Sequence, residues 1–213
     1  MKSEPAVCHS LTAAGCAVLA ALLLALTACG ADPPGLPRLA SDATVLAFGD
    51  SLTYGTGAKE DESYPEVLSQ IIGREVINAG VPGETTAGGL ARLPRVLEEI
   101  RPDLVILCLG GNDFLRKQDP AQTRTNLERM IQMVRGAGVP LVLVAVPQPR
   151  LFSGPPPLYR ELAKAHGLPL EEEVLDDVLR DNALKSDPIH PNAAGYRRIA
   201  QALAELLRES GAI

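Results

Sequence analysis

Tryptophan is missing, and the few Phe and Tyr residues make up 3% of the chain. The core must therefore be filled by Leu, Val, Ile and Ala. Basic runs are missing too. A formal charge of -6 without clustered Lys and Arg leaves no electrostatic footprint for a phosphate backbone, which argues against a nucleic-acid partner. Metal-ligand spacing is not found: of the three histidines one lies in the leader, and no close Cys or His pair exists. No metal site or cofactor is implied. Gly110-Gly111 is too short to cradle a nucleotide and lacks a following Lys. Internal repeats and low-complexity segments are likewise missing.

What is present is a globular composition, 46% hydrophobic and 22% charged, outside the profile of a disordered chain. A length of 213 residues suits a single domain with a short leader. Residues 11–28 form an uncharged apolar run that ends in Leu26-Thr27-Ala28-Cys29. That ending resembles the bacterial lipobox, which implies a signal peptide over 1–28 and acylation of Cys29 as the new N-terminus. The lipid would hold the protein to a membrane from the outside. The leading MKSEPAVCHS carries Lys2 and also Glu4, a poor positive flank. An uncleaved anchor or a plain secretory signal are the other readings of the run. Cys8 and Cys16 leave with the leader, so Cys29 and Cys108 give no disulfide framework. The Pro- and Gly-rich stretch 29–42 reads as the lipidated Cys and a tether, and 43–213 as the folded domain.

Within that domain, Thr44–Phe48, Val76–Asn78, Leu104–Leu109 and Val139–Val146 are apolar runs of the kind buried in parallel sheets. Helical patterns lie between them, over 64–72, 86–100 and 120–136. A helix over 158–166, a short strand at 168–170, an amphipathic stretch at 171–183 and a terminal helix at 192–210 complete the chain. Alternating strands and helices predict a doubly wound α/β domain with helices on both faces of a parallel sheet.

In such sheets ligands bind beyond the carboxyl ends of the strands. The polar segments stand there: Gly49-Asp50-Ser51-Leu52, Asn78 to Thr85, Gly110-Gly111-Asn112-Asp113, and Asp187-Pro188-Ile189-His190. A serine hydroxyl becomes a useful nucleophile when a general base takes its proton, and imidazole suits that role near neutral pH. Asp187, three residues before His190, suits the ring's other N–H. Singly, Ser51 reads as a helix cap, Asn112 as a turn residue and Asp187-Pro188 as a turn before the last helix.

Together, in this order, the four blocks resemble the SGNH hydrolases, also called the GDSL family. The run Gly89 to Leu97, GLARLPRVL, brings the resemblance nearest the bacterial lysophospholipase/thioesterase (arylesterase) branch. It implies a three-layer, flavodoxin-like α/β/α fold with a mainly parallel five-stranded sheet. It implies a catalytic Ser51, His190 and Asp187, and an oxyanion hole from the backbone N–H groups of Ser51 and Gly83 and the Asn112 amide, with Gly80 as the fallback glycine. Asp50 orients its loop through backbone amides and has no catalytic role. Cys108 belongs to core packing, and His166 to a solvated helix end.

The function implied is hydrolysis of lysophospholipid, fatty-acyl, aryl or thioesters through an acyl-enzyme on Ser51, in the bacterial envelope. A non-catalytic acyl-lipid-binding lipoprotein and a carbohydrate O-deacetylase are the alternatives. The partners expected are a small ester or lipid substrate and, through the anchor, a membrane. Nothing calls for an obligate protein partner.

Overall fold

A computed structural model describes residues 33–148 and 154–213, together with Met1. The expected signal peptide over 1–28, the Cys29 lipidation site and the start of the tether lie outside the described body. Among the described residues no helix is long and apolar enough to cross a membrane.

Five strands form the sheet: β1 Thr44–Gly49, β2 Glu75–Gly80, β3 Leu104–Cys108, β4 Leu141–Val144 and β5 Leu170–Glu171. Their order is β2-β1-β3-β4-β5 and every pairing is parallel, as in the flavodoxin-like arrangement. β3 and β4 are buried along their whole length, and β1 everywhere but at Thr44. Both faces must then be covered, and helices cover them. These are α1 Ser51–Tyr54, α2 Tyr64–Ile72, α3 Thr86–Ile100, α4 Gly111–Leu115, α5 Pro120–Gly136, α6 Leu158–His166, α7 Val174–Arg180 and α8 Ala193–Glu209. α2 packs on α8, and α3 packs on α5. The core is aliphatic, with buried Tyr64, Tyr159, Tyr196 and Phe48 as its bulkiest side chains.

Several boundaries differ from the sequence reading, each for a local reason. β4 begins after Pro140, which has no N–H and offers only its carbonyl, to Val105 N–H at 3.0 Å. The last strand starts at Leu170 because Leu168 N–H closes the end of α6 on Ala163 O, with Gly167 left-handed at φ 60°. The acidic stretch becomes helical only at Val174, where the Glu171 carboxylate accepts from the N–H groups of Glu173 and Val174 at 3.1 and 2.9 Å. It stops at Arg180, since Asp181 turns back to Ala183 N–H at 2.8 Å and opens a 3₁₀ turn over Asn182–Leu184.

The tether expected over 29–42 is docked from Leu36 onward. Leu36 and Leu39 N–H donate to Ser210 O and Ala212 O at 2.7 and 2.8 Å. Arg74 binds the carbonyls of Leu39 and Ala40. Buried Leu39 makes the docking an extension of the core.

Candidate active site

β1 and β3 are neighbours whose crossovers leave on opposite sides, so a crevice opens beyond their carboxyl ends. Ser51 follows β1 and is the first residue of α1. Asp50 caps that helix by accepting from Leu52 N–H at 3.0 Å. At a first helical position the Ser51 N–H has no intrahelical acceptor.

His190 arrives from the far end of the chain. Its Nε2 lies 3.0 Å from Ser51 Oγ, and its Nδ1 lies 2.7 Å from Asp187 Oδ2. The other Asp187 oxygen accepts from the N–H groups of Ile189 and His190 at 2.8 and 2.9 Å, folding the four residues into a tight turn. Burial tends to raise the Asp187 carboxyl, but bonds from the His190 ring and these N–H groups outweigh it and hold it below its ordinary range. Asn192 secures the approach by capping α8 through Ala194 and Gly195 N–H while its amide binds Ala183 O and Lys185 O.

The loop after β2 carries the two candidate glycines. Gly80 N–H is occupied by Asn78 Oδ1 at 3.0 Å, and a Cβ on Gly80 would collide with the Tyr54 backbone. Gly83 is left-handed at φ 78°, a conformation that disfavours any side chain. Among the described residues its N–H has no partner. The loop is gripped from several sides. Arg92 forks onto Glu84 at 2.9 and 2.7 Å, adds Ala79 O at 3.0 Å, and stacks 4.1 Å over Phe48. Arg116 donates to Gly83 O at 2.8 Å. Buried Asp113 accepts from Thr86 N–H at 2.8 Å and from the Thr86 hydroxyl, whose oxygen takes an N–H from Asn126 at 3.0 Å.

Asn112 sits beside that loop in α4. Its Nδ2 donates to Asp50 Oδ2 at 3.2 Å and to Glu84 O at 3.0 Å. Asp50 itself is 1% exposed. Burial pushes its carboxyl up to about 6 from 3.8, against the lowering pull of Leu52 N–H, the Asn112 amide and His190.

Of the residues read from the sequence as one site, Ser51, His190 and Asp187 form a relay and Asn112 lines the same crevice as Ser51 and His190, while Gly83 stands on the β2 loop, whose Glu84 O accepts from Asn112. Sequence reasoning missed the supports. Arg92 belonged to the GLARLPRVL run, but its grip on Glu84 could not be seen there. Cys108 is buried in the core and burial pushes its thiol well up. His166 differs from the expectation of a solvated helix end: its side chain is mostly buried and its Nε2 meets Glu128 Oε1 at 3.3 Å.

A nucleophile hydrogen-bonded to a base that is oriented by a carboxylate is the geometry of acyl transfer on many folds. Residues 47–198 match the GDSL-like lipase/acylhydrolase family, and the chain belongs to that family. It is accordingly a serine esterase of the SGNH type. It is 33% identical over 180 residues to the esterase TesA of Pseudomonas aeruginosa, covering 78% of this chain and 88% of that protein. Identity is also 33% to the thioesterase 1/protease 1/lysophospholipase L1 of Escherichia coli K12, over 80% of this chain and 86% of the relative. Among solved structures, that of TesA superimposes with a TM-score of 0.70 at 30% identity, covering 78% of this chain and 99% of the other. The SGNH-hydrolase family esterase AlinE4 gives 0.61 at 32% identity, over 80% and 97% of the two chains.

Proposed function

We propose that Ser51 is the nucleophile, His190 the general base and then acid, and Asp187 the residue that orients the imidazole. Ser51 Oγ attacks the ester carbonyl carbon as its proton passes to His190 Nε2. The resulting oxyanion is held by the N–H groups of Ser51 and Gly83 and by Asn112 Nδ2, whose N–H toward Asp50, the longer of its two bonds, is shared with the oxyanion as charge develops while the amide keeps its orientation. His190 returns the proton to the leaving alcohol or thiol, and water repeats the sequence on the acyl-enzyme. The observation that carries this reading is the unbroken Asp187–His190–Ser51 relay at 2.7 and 3.0 Å.

The substrates proposed are fatty-acyl esters and thioesters, lysophospholipids included. A crevice of about 420 Å³ beside Ser51 has Leu115, Val146, Leu179 and Ile189 on its apolar lining and Arg180 and Lys185 on its polar lining, room for an acyl chain beside a polar group rather than for an acetyl group alone. Apart from Met1, the large exposed hydrophobics among the described residues are Tyr54, Val81 and Leu115, and all three stand on segments that carry site residues or adjoin them. That placement supports a lipid substrate over a sugar ester. A panel of nitrophenyl esters of rising chain length, run on the wild type and Ser51→Ala, tests both parts. Turnover should rise beyond acetate and vanish in the variant; equal turnover by the two proteins ends the proposal.

Export and lipid anchoring at Cys29 belong to the same proposal, supported by the lipobox-like Leu26-Thr27-Ala28-Cys29 after the apolar run. Mass spectrometry of the mature N-terminal peptide should find an acylated Cys29; an unmodified Cys29 behind an intact leader contradicts it.

A further inference from the structure

Asp50 is a carboxylate in a place where an ionised group is costly, and it contacts neither the Ser51 hydroxyl nor the imidazole by a hydrogen bond. Two donors converge on it, one to each oxygen: Leu52 N–H on Oδ1 at 3.0 Å and Asn112 Nδ2 on Oδ2 at 3.2 Å. Only a carboxylate accepts on both sides at once. An amide in the same place must turn its own NH₂ toward one of the two donors, and an apolar residue satisfies neither.

Each bond bears on a different oxyanion donor. By capping α1 at Leu52, Asp50 fixes the first turn in which Ser51 N–H is the free leading group. By accepting from Asn112 it decides which end of a nearly symmetric side chain faces the crevice. A flipped Asn112 would set its Oδ1 against two acceptors, Asp50 Oδ2 and Glu84 O, and aim an oxygen where a donor is needed. Glu84 O supplies one of those two acceptors, and Asp50 supplies the other.

Building on the esterase reading above, we propose that Asp50 is a positioning residue that presets the oxyanion hole by locking the Asn112 amide with Nδ2 toward the crevice while capping the helix that carries Ser51. It touches no substrate and transfers no proton. Its action runs through Asn112, and that route makes it separable from a general structural role.

The test is a double-mutant cycle on nitrophenyl esters with the full chain: wild type, Asp50→Asn, Asn112→Ala and the double variant. Asp50→Asn should lower kcat about 10- to 100-fold, less than outright loss of an oxyanion donor, with KM changed by less than about threefold. In the Asn112→Ala background the same substitution should cost less than about threefold, because the group it positions is gone. Asp50→Ser, which keeps a helix cap but cannot reach Asn112, should repeat the Asp50→Asn result, and it carries the cycle if the asparagine variant does not fold. An unchanged or raised kcat in the single variants, or an equal loss in both backgrounds, overturns the proposal. A wild type no faster than Ser51→Ala is a different outcome, and would overturn the esterase reading.

Discussion

The two sides of the crevice are built in opposite ways. On the side proposed to hold the oxyanion, Ser51, Gly83 and Asn112 come from the ends of three adjacent strands, and their supports are buried: Asp50, Asp113 and Thr86 lie inside the body, and the Glu84–Arg92 pair is largely covered. On the other side Asp187 and His190 stand on a loop held by its own short-range bonds, and the Asp187 side chain is 44% exposed. The difference suits the tasks proposed for the two sides. Donors for a developing charge contribute most when they need no rearrangement at the moment of reaction, which favours a buried framework. A base needs only the right ring orientation and a carboxylate behind it, and a four-residue turn supplies both.

This contrast can be broken on either side. The largest effect should come from the relay: Ser51→Ala or His190→Ala should lower kcat by about 10⁴-fold or more while the melting temperature stays within a few degrees. Steady-state kinetics beside a thermal melt read both quantities. Asn112→Ala should cost about 10²- to 10³-fold in kcat, the range for loss of one oxyanion donor, with little change in KM.

The supports should show the reverse balance. Arg92→Met leaves Glu84 as a buried charge without its partner and should destabilise the fold by about 3 kcal/mol, read by urea unfolding. Asn192→Ala, at the exposed loop, should cost only about 1 kcal/mol through loss of the α8 cap. If the two substitutions destabilised equally, the contrast between a buried and an exposed half would fail.

Asp50 provides the pH-dependent form of the same comparison. Its carboxyl sits at about 6 in the folded protein against 3.8 for the free group, so between those values the folded chain holds a proton that the unfolded chain has released. Stability from this group is therefore lost as pH rises through that window, by an amount on the order of 3 kcal/mol. Asp50→Asn removes the dependence. Its melting temperature relative to wild type should climb between pH 4 and pH 7, and a flat difference would show that the carboxyl is not held up by burial.

Much of this architecture is legible in the sequence, because alternating apolar runs and helical patterns report burial directly. Helices at 64–72, 86–100 and 120–136 stand where periodicity puts them. α1 shows in the sequence only as a helix start at Ser51, and α4 not at all, because a single turn is too short to show a period, although both carry candidate site residues. β5 is two residues long and owes its place to β4 and to Pro169 O rather than to its own composition. The motifs name Ser51, Asn112, Asp187 and His190 as one site, and the fold places Asp187, His190 and Ser51 within hydrogen-bond distance of one another in turn. They could not show that Arg92 holds Glu84 or that Asp113 holds Thr86, since those bonds join segments whose proximity exists only after folding.

The central claim is that acyl transfer runs through Ser51 under the control of His190. Intact-protein mass spectrometry after brief exposure to a fluorophosphonate, followed by peptide mapping, tests it most directly. The account predicts one adduct on the peptide that contains Ser51, absent from Ser51→Ala and slowed by orders of magnitude in His190→Ala. An adduct on another residue, or equal labelling of wild type and His190→Ala, would contradict it.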